Sequence, residues 1–213
     1  METLASNLAA KIALQMDYDE DKKAVLAYGL TAIFQMVTIF TIISLIGLLF
    51  KFWYESILIF FGVGIIRKST GGAHSHTMNG CIIISVFSIT LLSSISRFIL
   101  NTMISNYANY IVSVIIYLLC FIIFYIRVPV ASPNKPIAKP DKIKRLRKQS
   151  FIILTLFFII SIVLISLIPW NRRLYSIAVS VRLTMLWQLF TLTKIGIRFF
   201  GQVDSYFESI RNK

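Results

Sequence analysis

Residues 67–81 read Arg67-Lys68-Ser69-Thr70-Gly71-Gly72-Ala73-His74-Ser75-His76-Thr77-Met78-Asn79-Gly80-Cys81. Both histidines of the chain fall here, beside one of its two cysteines. A thiolate can attack a carbonyl carbon while a nearby imidazole keeps the thiol deprotonated and later protonates the leaving amine. His74 and Cys81 are seven residues apart. On one continuous helix they would share a face but stand about 10 Å apart along the axis, whereas proton transfer needs about 3 Å. The segment must therefore fold back between them, and Asn79-Gly80 is a turn signal at which it can. Cys81 then opens an apolar helix, whose N-terminus favours a thiolate. Gly71 and Gly72 would let backbone N–H groups approach an oxyanion.

Two other readings use the same residues. His74, His76 and Cys81 are ligand types suited to zinc. No HExxH motif accompanies them, and Glu55 is the one carboxylate near the membrane that could complete such a site. The third reading is a polar loop whose histidines cap helices. Our expectation is the thiol chemistry, with no metal and no other cofactor. Cys120, inside Tyr117-Leu118-Leu119-Cys120-Phe121, reads as a small buried hydrophobe.

The elements that must position this segment are apolar. Of 213 residues 57% are hydrophobic and 15% charged, far below the roughly 25% charged content of soluble domains. A bilayer can hide that surface. Tyr28–Phe50 and 103–126 lack charges entirely and can cross a hydrocarbon core of roughly 30 Å. Cys81–Leu100 carries Arg97 near its far end, Phe151–Trp170 is uncharged, and Leu174–Thr193 carries Arg182 near its middle. Phe52–Ile66 is shorter and contains Glu55, so it reads as a short span or a re-entrant segment. The expected fold is all-α: a polytopic bundle of about six transmembrane helices forming a single integral membrane domain, residues 1–213. An amphipathic N-terminal helix precedes it, with Leu4, Leu8, Ile12 and Met16 spaced to lie in the interface or pack on the domain. The N-terminus lacks the basic-then-apolar order of a cleaved signal peptide, so no removal is expected there.

The net charge of +13 would point to nucleic acid in a soluble chain. Here the positive-inside rule accounts for it, and no nucleic-acid partner is expected. With a cytoplasmic N-terminus, segments 1–27, 67–80, 127–150 and 194–213 carry 17 Lys and Arg, against 3 outside. Both termini and the 67–80 loop are then cytoplasmic. The 127–150 loop holds four prolines, which favour extended backbone. It continues into Lys142, Lys144, Arg145, Arg147 and Lys148, a run that should begin the next helix at an anionic leaflet. Topology setting and lipid contact are one reading of that run, and a cradle for an acidic substrate tail is the other.

The pattern Arg67, Gly71-Gly72, His74, Cys81 resembles the signature of the AgrB family of membrane peptidases, accessory gene regulator proteins of Gram-positive bacteria. Lys23-x4-Tyr28-Gly29-Leu30 is similar to that family's entry to the first span, and Ser132-Pro133-Asn134-Lys135-Pro136-Ile137 to its proline loop. The resemblance implies a cell-membrane cysteine endopeptidase acting on an AgrD-like quorum-sensing precursor. Cys81 would be the nucleophile and His74 the base and acid, with Arg67, Gly71 and Gly72 shaping the site. The enzyme would release the precursor's acidic C-terminal tail and promote ring closure to a thiolactone or lactone. A homodimer is compatible with the same reading. The competing class is a small permease or channel gated by the polar loop, favoured by the intramembrane charges Glu55, Arg97 and Arg182.

Overall fold

The computed structural model describes residues 2–73, 75, 77–99, 105–130 and 139–211. They form eight α-helices: α1 Glu2–Gln15, α2 Glu20–Leu49, α3 Trp53–Thr70, α4 Met78–Ser94, α5 Asn106–Arg127, α6 Pro140–Leu167, α7 Arg173–Leu192 and α8 Lys194–Arg211. A π-helical turn, Ile95–Ile99, continues α4. Among the described residues there is no strand, only a single parallel bridge between Gly71 and Val130. Helices are what an apolar chain must form in lipid, because they satisfy backbone N–H and C=O groups without water.

Residues 1–42 and 43–213 form two units. In the first, Ala5, Ala9 and Ala13 on α1 are buried, while Leu4, Leu8 and Met16 are exposed. The small side chains thus make the covered face of α1. The exposed leucine stripe is the one suited to an interface.

In the second unit α7 is the hub, packing against α3, α4, α5, α6, α8 and the π turn. Its buried residues include Ser176, Ser180 and Thr184, one turn apart. Small hydroxyl side chains let membrane helices approach closely and bond across the gap. Ser96 Oγ lies 2.6 Å from Ser180 Oγ, and Ser113 Oγ on α5 is 3.2 Å from Ser161 Oγ on α6. Around them Ile66, Phe124, Leu154, Met185 and Leu192 close the core. Cys120 is among these buried residues, its Sγ 3.6 Å from the Met185 carbonyl oxygen, as a small core hydrophobe should be.

Among the described residues, four helical stretches are by length and composition long and apolar enough to cross: Glu20–Leu49, Met78–Phe98, Tyr107–Arg127 and Pro140–Leu167. A fifth arises if α7 and Lys194–Tyr206 form one span broken by a 77° bend. The expected second segment does not qualify. α3 carries Glu55 in its first turn and Arg67 and Lys68 in its last, and it packs against α7, α6 and α4 instead.

The intramembrane charges have partners within the bundle. Glu55, 3% exposed, accepts a 2.6 Å hydrogen bond from Ser176 Oγ and lies 3.9 Å from Arg97 Nη1. Arg182 donates twice to Asn109 Oδ1, at 3.1 and 3.2 Å.

Candidate active site

The site is assembled where α3 ends and α4 begins. α3 stops because Gly71 enters the left-handed region at φ 69°, its N–H donating to Arg67 O at 2.9 Å. Glycine is required at this position. A Cβ on Gly71 would stand 2.0 Å from the Val130 carbonyl oxygen, because the chain leaving α5 runs alongside and donates Val130 N–H to Thr70 O at 2.9 Å. The Gly71 amide is thus committed to capping α3. What this glycine gives the site is close packing.

α7 holds the other side of the loop. Gln188 Nε2 donates to Thr70 Oγ1 at 2.7 Å and to Gly71 O at 2.9 Å. Ala73 N–H donates to Thr191 O at 2.9 Å. Buried Gly72 lies against the same two residues, within a Cβ's reach of Thr191 Oγ1 and Gln188 Nε2. Arg67 reaches back over the loop, its Nη2 donating to Ala73 O. Burial pushes the Arg67 guanidinium below its ordinary pKa, and the nearby Cys81 opposes that shift.

The fold-back falls earlier than the Asn79-Gly80 signal. Thr77 is the N-cap of α4, its hydroxyl accepting from Gly80 N–H at 3.2 Å, so Asn79 and Gly80 already belong to the first helical turn. The chain leaves α3 at Gly71 and enters α4 at Thr77. An N-cap hydroxyl followed by an apolar run outweighs an Asn-Gly pair, because it satisfies an orphan amide of the helix. Cys81 accordingly sits in the first turn of α4, its N–H bonded to Thr77 O at 3.0 Å. Its half-buried thiol lies 4.0 Å from Ser85 Oγ. Charges reaching that thiol come from Arg67 and from Asp204. His74 and His76 lie outside the described residues, so the expected imidazole partner and the alternative zinc set are not part of this geometry.

Three contributors were not evident from the sequence: Gln188 and Thr191 of α7, and Asp204 of α8. A polar pair inside the apolar run Leu174–Thr193 was the available signal for the first two. Asp204 depends on the bend between α7 and α8. There Thr193 Oγ1 accepts from Gly196 N–H at 3.1 Å, and Gly196 packs so closely that a Cβ would meet Phe190 O at 2.1 Å. Trp187 and Phe190 of α7 then pack, tilted or edge-on, against Phe200 and Phe199 of α8. That cluster turns α8 back toward the loop. An apolar groove of about 390 Å³ between α4, α7 and α8 begins two residues past Cys81, lined by Ile83, Ile84, Phe87, Trp187, Phe199 and Val203 among others.

The basic run lies where expected, with Lys139 as N-cap and Pro140 opening α6. Lys144, Arg145 and Lys148 are exposed. Arg147 has another engagement: it donates to Tyr125 O and lies over the Tyr125 ring, 4.9 Å from its centre. The Ser132–Ile137 proline segment lies outside the described residues.

An all-helical bundle with several apolar spans, and a thiol at a helix start beside a pinned Gly-Gly loop, defines a multi-pass membrane protein with one concentrated polar site. The accessory gene regulator B family model matches residues 4–192, and the chain belongs to that family. A protein of Clostridium perfringens (strain SM101 / Type A) described as AgrB-like is 31% identical over 213 residues, 97% of each chain. A second one, from strain 13 / Type A, is 29% identical over 214 residues, again 97% of each. No solved structure matches the chain. Membership supports a role in the accessory gene regulator quorum-sensing system.

Proposed function

We propose that the protein is a cysteine endopeptidase that processes an AgrD-like precursor at the cytoplasmic membrane face. The observation that carries this reading is the position of Cys81. Its thiol sits in the first turn of α4, within reach of the Arg67 charge, beside a loop fixed on both sides by Gln188, Thr191 and Val130. Burial opposes ionisation of this thiol, and a cation and a helix N-terminus both work against that burial to favour the thiolate.

In the proposed reaction the Cys81 thiolate attacks the carbonyl carbon before the acidic tail. The C–N bond breaks, and the departing amine takes a proton from His74, leaving a thioester on Cys81. A thiol or hydroxyl within the bound peptide then attacks the thioester carbonyl. Its proton passes to His74, the ring closes, and Cys81 is released. Exchange of one thioester for another is nearly balanced in energy, so the site must mainly keep water from the acyl-enzyme. The apolar groove past Cys81 can take the precursor's apolar leader. The basic start of α6 suits the tail, through Lys142, Lys144, Arg145 and Lys148.

A permease reading loses its support, since Glu55 and Arg182 have partners inside the bundle. The test is cleavage of an AgrD-like precursor by protein in vesicles. Cys81→Ala should abolish it and Cys120→Ala should leave most of it. Full cleavage by the Cys81 variant overturns the proposal.

A further inference from the structure

The reaction just described leaves one buried acid without a task. Asp204 lies on α8, beyond the residues matched by the family model, and is only 6% exposed. A carboxylate taken out of water is costly unless it is hydrogen-bonded or paired. Ser75 Oγ donates to Asp204 Oδ1. Ser75 stands in sequence between His74 and His76 and is itself 5% exposed. The same hydroxyl lies 3.2 Å from both Thr77 O and Thr77 Oγ1, and Thr77 is the N-cap of the helix bearing Cys81. One carboxylate therefore ties α8 to the histidine-bearing loop and to the start of α4.

We propose that Asp204 is a positioning residue of this site, holding Ser75 and through it the Thr77 cap of the helix that carries Cys81, and adding a negative charge that favours the protonated forms of the catalytic thiol–imidazole pair. The inference rests on the cysteine-peptidase reading. In nucleophile–imidazole catalysis a third, acidic group commonly fixes the ring and stabilises the imidazolium formed during attack. The proton stays on the imidazole, and Asp204 exchanges none. Among the described residues, those acting on the thiol are Arg67 from α3, the Ser85 hydroxyl from α4 and the negative Asp204 from α8. The neutral Gln188 and Thr191 of α7 hold the preceding loop, the loop's sequence includes His74 and His76, and Lys194 and Arg198 of α8 are exposed.

The signs follow from charge. Removing a negative group makes both members of an interacting thiol–imidazole pair lose protons more readily, so both apparent pKa values fall. The experiment uses full-length Cys120→Ala protein in vesicles, so that Cys81 is its one thiol. Precursor cleavage is followed against pH, and iodoacetamide alkylation of Cys81 is followed separately. Asp204→Asn should lower kcat about 10–100-fold. That is less than the roughly 10⁴-fold lost when a directly bonded orienting carboxylate is neutralised, because Ser75 intervenes. Both limbs of the cleavage profile, and the alkylation midpoint, should move to lower pH by about half to one unit.

Asp204→Glu and Ser75→Ala keep the charge, so kcat should fall while the limbs stay. A folded Asp204→Asn protein with unmoved limbs overturns the inference, even if cleavage falls, because a purely structural contact would behave that way. If Asp204→Asn does not fold, unchanged kcat in both charge-keeping variants overturns it. If the parent protein cleaves no precursor, the peptidase reading fails by itself. The alkylation midpoint then decides whether Asp204 acts on the thiol, and an unshifted midpoint refutes it.

Discussion

The side-chain amide of Gln188 lies 2.9 Å from the carbonyl oxygen of Gly71, joining the hub helix of the bundle to the loop that precedes Cys81. The same nitrogen bonds Thr70 Oγ1, so one residue fixes both ends of the α3 cap. Gln188→Leu should cost about 1–3 kcal/mol through the buried acceptors it strands. A lower melting temperature in detergent and reduced precursor cleavage should appear together. A Leu variant with unchanged melting would mean the loop is held by Val130 and Thr191 without Gln188.

Gly71→Ala faces both a positive φ and the Val130 carbonyl. Backbone strain of this kind is worth about 1–3 kcal/mol, and the clash adds to it, so the variant should melt lower and lose activity. Gly64→Ala supplies the control. Gly64 lies within α3 with nothing within 4 Å of its Cβ position, and alanine there should be neutral or stabilising by up to about 1 kcal/mol. Equal effects at the two positions would refute the special role of Gly71.

Glu55 and Arg97 invite a double-mutant cycle. Arg97→Leu alone leaves the buried Glu55 with Ser176, and should destabilise by about 1–3 kcal/mol. That lies at the low end for such pairs, since Arg97 is 27% exposed and the contact is 3.9 Å. Glu55→Leu together with Arg97→Leu should recover much of the loss. Strictly additive effects in melting measurements would show no coupling.

Charge at the start of α6 should govern substrate affinity. Each exposed ion pair is worth only about 0.2–1 kcal/mol, so no single lysine should be essential. Replacing Lys142, Lys144, Arg145 and Lys148 together should raise KM by about one to two orders of magnitude and leave kcat nearly unchanged. The effect should weaken as salt rises. Arg147→Ala should act differently, lowering stability rather than raising KM, because its guanidinium is bonded to Tyr125. Insertion in the expected orientation is checked first. An unchanged KM without salt dependence would assign the run to topology alone.

The 17 to 3 bias of Lys and Arg predicts a cytoplasmic 67–80 loop under the positive-inside rule. An impermeant thiol reagent applied outside intact cells should label cysteines placed at 102–106. It should not label those at 70–73 or 139–142. External labelling of the 70–73 positions would remove access to a cytoplasmic precursor.

Much of this architecture is written locally. Uncharged runs such as Tyr28–Phe50 must become helices in lipid, because no other backbone arrangement satisfies their amides alone. The crowding of Arg67, two glycines and two histidines before Cys81 marked the polar site, since such residues have no reason to cluster in an apolar chain. Local signals misled where two of them competed. The Asn79-Gly80 pair suggested a turn, but the Thr77 cap absorbed it into α4. The run Phe52–Ile66, read as a short span or a re-entrant segment, forms α3, whose charged ends Glu55, Arg67 and Lys68 set it apart from the long apolar helices.

By itself the sequence determined the membrane class, the helical segments and the family signature around Cys81. These depend on composition and short spacing, which the chain carries at every position. Only the tertiary structure decided that Gln188, Thr191 and Val130 close on the loop preceding that cysteine, and that Asp204 reaches it from α8. Each lies at least 49 residues along the chain from Cys81. Their approach is set by close helix packing, by the Gly71 contact and by the 77° bend after α7. No local pattern encodes a meeting of that kind, because it exists only once the helices have chosen their neighbours.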